Sequence, residues 1–314
     1  MKYYFAPFEG ISWYLYRNLA AKHFEAADVY VTPFIAPNQM RSIRESDKKD
    51  ILPENNRDLH IIPQLIGNRA DEIVDTAKQI YEMGYQEINL NFGCPSGTVV
   101  AKNKGAGILR DPYFMEKFLY DVFEGLKDHM KISVKTRIGV SDANEWEEIL
   151  QVFNQFELSE LIIHARVRKD FYNGKPNWNA FGYALENSKN PVCYNGDLFS
   201  VGDYEKLIHT FPETQSVMLG RGMLANPALL EEIKGHGKLD KQRMRAFHDE
   251  MLAMYREHLY GEITVLHKMK EIWRYWSLVF DKGEQYFKKI GKSKNLIEYQ
   301  AVVNALFAEC RVIV

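Results

Sequence analysis

Glu87-Ile88-Asn89-Leu90-Asn91-Phe92-Gly93-Cys94-Pro95-Ser96 reads as a short strand that breaks into a turn. Apolar and polar residues alternate as far as Phe92, and Gly93 and Pro95 then interrupt the pattern. The break leaves Cys94 on the turn after the strand, at the rim of a core. A buried cysteine ordinarily behaves as a small hydrophobe, so a thiol at a rim depends for its meaning on what other strands bring there.

Working outward, similar runs recur on both sides: Tyr3 to Ala6, Asp28 to Phe34, Ile61 to Ile66, Lys131 to Ile138, Glu160 to His164, Pro191 to Asn195 and Gln215 to Leu219. Leu161-Ile162-Ile163 is apolar on both faces, as in parallel strands covered from both sides. Helical patterns lie between the runs. Asp71 to Met83 gathers Ile73, Val74, Ala77 and Ile80 on one face and stops at Gly84, a suitable C-cap. Asp111-Pro112 opens another helix with proline in the first turn. Asn144 to Phe156 and Val201 to His209 follow suit. Eight strands alternating with helices over about 230 residues predict a (β/α)8 TIM barrel, with a doubly wound open sheet as the alternative.

The pattern changes after Leu230. Glu231 to Asp240, with Gly235-His236-Gly237, reads as a linker, and the next strand-like residues are Val312-Ile313-Val314. Met244, Phe247, Met251, Met254 and Leu259 have helical spacing, as do Leu266, Met269, Ile272, Trp273 and Trp276. Two shorter helices surround Gly291. The expected division is a barrel over 1–234 and a small all-helical C-terminal domain over 235–314.

Composition is that of an ordinary globular chain: 314 residues, 46% hydrophobic and 26% charged, with a net charge of −2. Cysteines at 94, 193 and 310 suggest neither a disulfide framework nor a metal site. The first residues run straight into a strand-like segment without a leader-like stretch, and no apolar run is long enough to span a membrane. A cytoplasmic setting, no membrane and no protein partner are the expectations. The charge lowers the prior for nucleic-acid binding without excluding a local basic patch.

Barrel active sites form where strands end. The ends read Ala6-Pro7-Phe8-Glu9-Gly10, Gln64, Asn91 with Cys94, Lys135-Thr136-Arg137, His164-Ala165-Arg166, Asn195-Gly196-Asp197 and Gly220-Arg221-Gly222. Taken singly, Gln64 could cap a loop, Lys135 could sit in an ion pair, His164 could be a core histidine and Asn195-Gly196-Asp197 could be turn chemistry. Together they suit an anionic, phosphate-bearing ligand, with Arg221 near the phosphate. With no GxGxxG or GxxxxGKS pattern in the chain, flavin mononucleotide (FMN) fits best, and Lys135 suits the electron-rich edge of its ring. A thiol of ordinary pKa, about 8.5, is mostly protonated at neutral pH, so Cys94 suits a general acid.

The ordered set of strand ends, with Gln64-Leu65-Ile66-Gly67, Asn89 to Pro95, Lys104-Gly105-Ala106-Gly107 and Gly220 to Pro227, resembles the tRNA-dihydrouridine synthase family. That resemblance covers the whole barrel and implies reduction of specific tRNA uridines to 5,6-dihydrouridine, with NADPH reducing bound FMN. It implies FMN contacts at Pro7, Phe8, Glu9, Gln64, Lys135, His164, Asn195, Gly196, Asp197, Gly220 and Arg221. Cys94 would protonate C5 of the uracil, and Asn91, Lys104 and Arg166 would contact the substrate. Arg41, Arg44, Lys102, Arg168 and Lys169 are further candidates for RNA contact, and the helical tail resembles a tRNA-binding domain. The family commonly reads His-Gly-Arg-Thr-Arg where this chain has His164-Ala165-Arg166-Val167-Arg168. The alternatives are an FMN barrel oxidoreductase acting on a free pyrimidine or similar small molecule, and a non-catalytic RNA-binding barrel.

Overall fold

The computed structural model describes residues 1–38, 42–127 and 129–314. Eight parallel strands close into a barrel: β1 Lys2–Phe5, β2 Val29–Ile35, β3 Ile61–Leu65, β4 Glu87–Phe92, β5 Lys131–Arg137, β6 Leu161–His164, β7 Val192–Asn195 and β8 Ser216–Leu219. Every expected run becomes a strand, and the pairing of β8 with β1 excludes the open sheet. Leu161, Ile162 and Ile163 are fully buried, as strands covered on both faces require. Tyr4, Val31, Ile62, Ile162, Cys193 and Met218 pack in one core cluster. Cys193 is thus a core thiol, and burial pushes it well above its ordinary pKa.

One irregularity shapes the rim. Pro33 lies inside β2 and has no N–H for the ladder, and the β2–β3 register shifts between Val31 and Phe34. Thr32 Oγ1 accepts the Gln64 N–H at 3.1 Å, so that donor keeps a partner at the irregularity.

The helix Ala70–Glu82 buries Ile73, Ala77 and Ile80, and Gly84 follows it at φ +102°, a conformation that favours glycine. Asp111 caps the helix Pro112–Leu126 by accepting the Phe114 N–H at 3.1 Å. The stretch read as a linker is partly helical. Leu229–Lys234 is a helix, and Gly235 at φ +72° is its C-cap, so a residue that reads as linker punctuation ends a helix instead. Val312 makes only an isolated bridge to Phe280.

The chain divides into two compact units that do not follow a single cut in sequence. The first comprises Met1–Glu9, Asp28–Asp197 and Ile208–Leu219, and contains all eight strands. The second comprises Gly10–Ala27, Leu198–Leu207 and Gly220–Val314. Within it, the helices Lys241–His258, Glu262–Trp276, Gly283–Lys292 and Leu296–Glu309 enclose buried Trp273, Trp276 and Tyr299. Trp273 Nε1 donates to the Tyr299 oxygen at 2.7 Å, which leaves the tyrosine proton for His248 Nε2 at 2.7 Å.

Candidate active site

A cavity opens at the strand ends of the first unit. It gathers Pro7, Phe8 and Glu9 after β1, Gln64 of β3, Asn91 of β4, Cys94 after β4, Lys135 of β5 and His164 of β6, all expected from the sequence. Pro33, Phe34, Arg137 and Tyr172 complete its principal walls.

The turn bearing Cys94 is held at every backbone polar group. Asn91 Oδ1 accepts the N–H groups of Gly93 and Cys94 at 3.0 and 2.9 Å. The Gly93 carbonyl accepts from Arg137 Nε at 2.9 Å, the Cys94 carbonyl from the Ala106 N–H at 3.1 Å, and the Pro95 carbonyl from Arg168 Nε at 3.1 Å. Pro95 has no N–H, so the accounting is complete. Gly105 lies behind the turn at φ +56°, where a Cβ would stand 2.9 Å from Cys94 Cβ. Burial raises the Cys94 thiol above its ordinary pKa, outweighing a hydrogen bond from the Ser96 backbone and the cations of Arg137 and Lys135. The Glu9 carboxylate acts in the same direction as burial. The thiol is therefore protonated at neutral pH.

Asn91 is more committed than its reading as a substrate contact implies. Besides its two backbone bonds, its Nδ2 donates to Gln64 Oε1 at 2.8 Å, leaving one N–H. Gln64 Nε2 donates to Asn89 Oδ1 at 2.7 Å, and Asn89 Nδ2 donates to Ser133 Oγ at 3.0 Å. This buried chain of amides fixes the lower wall of the cavity.

Lys135 pairs in register with Asn91 across β4 and β5. Among the described residues, no hydrogen bond or salt bridge engages its half-buried ammonium. Burial lowers its pKa to about 8, and the neighbouring Arg137 charge acts the same way. Arg137 lies on the same strand face, two residues on, but its charge is well supported. Besides Gly93, its guanidinium donates to the carbonyls of Val167 and Phe171 at 3.0 and 2.7 Å. Its carbon lies 5.6 Å from the Tyr172 ring centroid.

Arg166, expected at the substrate, is instead buried with all five N–H groups engaged. It donates to the Asn173 carbonyl at 3.1 Å, the Gly174 carbonyl at 2.6 Å, His164 Nε2 at 3.1 Å and Asp197 Oδ1 at 3.2 Å, and closely to Asp197 Oδ2. No donor is left for an RNA phosphate. Because a guanidinium only donates, His164 Nε2 is the acceptor and Nδ1 carries the proton of the neutral ring. The Asp197 carboxylate, expected at the cofactor, is committed to Arg166.

Other expected residues lie elsewhere. Asn195 donates to the Met218 carbonyl at 2.9 Å, and a Cβ on Gly196 would meet the Tyr194 hydroxyl at 2.2 Å. Lys104 precedes Gly105 behind the Cys94 turn. Gly220 and Arg221 belong to the second unit, where the Arg221 guanidinium lies 5.4 Å from the Phe199 ring centroid. Arg44, Lys102 and Lys169 are exposed, and Arg41 lies outside the described residues. Sequence reasoning named Arg137 among the strand ends without giving it a role at the site, although its two-residue spacing from Lys135 was a usable signal. Phe34 and Tyr172 carried no comparable signal.

A family model described as Dihydrouridine synthase (Dus) matches residues 4–309. A probable tRNA-dihydrouridine synthase from Rickettsia typhi is 30% identical over 257 residues, covering 81% of this chain and 76% of the relative. A probable tRNA-dihydrouridine synthase 1 from Synechocystis is 28% identical, over 81% of this chain and 70% of that protein. A tRNA-dihydrouridine(16) synthase from Neisseria meningitidis is 27% identical, over 79% and 76%. Among solved structures, morphinone reductase in complex with tetrahydroNAD superposes with a TM-score of 0.55 at 9% identity, covering 76% of this chain and 88% of that one. That likeness is one of fold.

Proposed function

The chain belongs to the dihydrouridine synthase family, and from that premise we propose that it reduces uridine in tRNA to 5,6-dihydrouridine, using NADPH as reductant and FMN as bound cofactor. The observation that carries the reading is a thiol on a fully tethered turn, lining the same cavity as an ammonium that no hydrogen bond or salt bridge engages among the described residues; burial keeps that thiol protonated. The cavity fits such a cofactor. Pro7, Phe8, Pro33 and Phe34 offer apolar surface for a flat ring, and Lys135 offers a cation to an electron-rich edge. When bound, flavin would supply hydride chemistry for C6 of the uracil, with NADPH as the source of the electrons.

The protein's own residues supply the remainder. Cys94 donates its proton to C5 as C6 receives hydride, and the resulting thiolate regains a proton from water, so charge and atoms balance. The Lys135 and Arg137 cations both favour that thiolate. Asn91 and Arg137 hold the turn so that the sulfur keeps its position through the transfer. A stacked base cannot lie against a ring at the cavity wall, so the uridine must leave its stack. Asp197 is not a candidate for the phosphate end of the cofactor, since its carboxylate is committed to Arg166 and would repel phosphate.

The purified protein is expected to be yellow, to bleach with NADPH, and to form dihydrouridine in unmodified tRNA, detected by mass spectrometry of digested nucleosides. A colourless protein that cannot be reconstituted with FMN, or a yellow one that leaves tRNA unchanged, would sink the proposal.

A further inference from the structure

The loop after β6 breaks a local rule beside the cavity. Asn173 N–H donates to the Asp170 carbonyl at 2.8 Å, closing a four-residue turn around Phe171 and Tyr172. Phe171 takes φ +50° and ψ −98°, the conformation of the first central residue of a type II′ turn, where glycine is strongly favoured. Among the described residues, Asn103 and Phe171 are the only non-glycine residues at positive φ. Asparagine tolerates that region, whereas a bulky aromatic there is strained. The strain yields no buried packing in return, because Phe171 is 41% exposed.

Both sides of this residue are tied to the cavity wall. Its carbonyl accepts from Arg137 Nη2 at 2.7 Å. The Arg168 guanidinium lies 5.1 Å from its ring centroid and, through Nε, holds the Pro95 carbonyl next to Cys94. Tyr172, the next residue, lines the cavity itself. An exposed, strained aromatic ring beside a cation, anchored next to a cavity proposed to take one extruded base, has the make-up of a nucleobase stacking surface.

We infer that Phe171 is a stacking platform for the base of a nucleotide flanking the uridine that enters the cavity, a role that rests on tRNA being the substrate. Base–aromatic stacking tolerates any base, so the platform would support an unstacked single-stranded stretch without reading its sequence. The backbone strain at a position that glycine would fill without cost is then retained for the ring it presents.

The test is titration of the full-length protein with unmodified tRNA, comparing wild type with Phe171→Gly and Phe171→Trp, alongside thermal melts. Phe171→Gly is expected to bind tRNA roughly tenfold more weakly. Its melting temperature should not fall, since relief of the strain offsets the lost ring contact. Phe171→Trp should restore affinity to within about twofold of wild type, stacking being the shared property. Equal affinity of wild type and Phe171→Gly overturns the platform, as does failure of tryptophan to restore binding. Absence of tRNA binding by all three proteins, wild type included, overturns it together with the proposed substrate. If wild type binds tenfold more tightly than Phe171→Gly yet forms no dihydrouridine, the platform stands and the proposed reaction falls.

Discussion

The two ends of the barrel treat a buried charge in opposite ways. At the N-terminal end, Glu160 just before β6 is buried and fully answered. Tyr4 donates to one carboxylate oxygen at 2.8 Å, Ser216 donates to the other at 2.5 Å, and Lys2 stands 3.9 Å away. Burial and that carboxylate push the Tyr4 phenol above its usual range, keeping it a donor. At the C-terminal end, Lys135 carries a charge with no hydrogen bond or salt bridge among the described residues, and its pKa falls to about 8. A charge with its partners in place contributes to holding the barrel together. A charge left without them costs stability until a ligand arrives. The contrast separates a structural end from a working end within one unit.

The largest expected effect lies at the working end. Cys94→Ala should slow dihydrouridine formation about 10²–10⁴-fold while retaining flavin colour and bleaching by NADPH. Loss of the cofactor in that variant would instead mean that the thiol supports the site. Because the folded thiol is raised above its ordinary pKa, the wild-type rate should stay flat through neutral pH and decline only above the ordinary thiol range. A decline below pH 7 tracking this group would contradict its assignment as the acid.

At the structural end, Glu160→Ala should cost about 1–3 kcal/mol in denaturant unfolding, since it strands the buried hydroxyl of Tyr4 while Ser216 can turn to the Val192 carbonyl at 3.2 Å, and should leave flavin affinity alone. A neutral result there, or a cofactor defect, would dissolve the contrast. Lys135→Met should do the reverse. Flavin affinity drops about tenfold, while the ligand-free protein is no less stable than wild type.

The smallest effect is a pH dependence with a fixed sign. With a folded pKa near 8 against 10.5 when unfolded, Lys135 binds its proton less well in the folded chain. The unfolded state therefore holds more protons between those values, and the ligand-free protein regains stability as pH rises through that window. The stability difference between Lys135→Met and wild type should accordingly shrink from pH 8 to 10.5. A difference that widens would show that the ammonium has a partner after all.

Much of this was legible from local pattern. Short apolar runs gave all eight strands because burial on both faces is written into consecutive residues, as in Leu161-Ile162-Ile163. The strand ends named nine of the lining residues, Arg137 among them, because barrel geometry brings those ends to one face. The misreadings concern partners. Arg166 is expected at the substrate, yet a carboxylate 31 residues away, two loop carbonyls and His164 take up its donors. Gly235 looked like a linker residue although it caps a helix.

The amino-acid sequence by itself determined the order of strands and helices, the polar residues at strand ends, and a thiol on a turn after β4. Only the tertiary structure decided which of the charged groups are answered and which are not. Tyr4 meets Glu160 across 156 residues of chain, while the ammonium of Lys135 meets no protein acceptor among the described residues. The physical reason is that apolar periodicity is a local property of the chain, whereas hydrogen bonds and ion pairs act over a few ångströms between residues that only folding brings together.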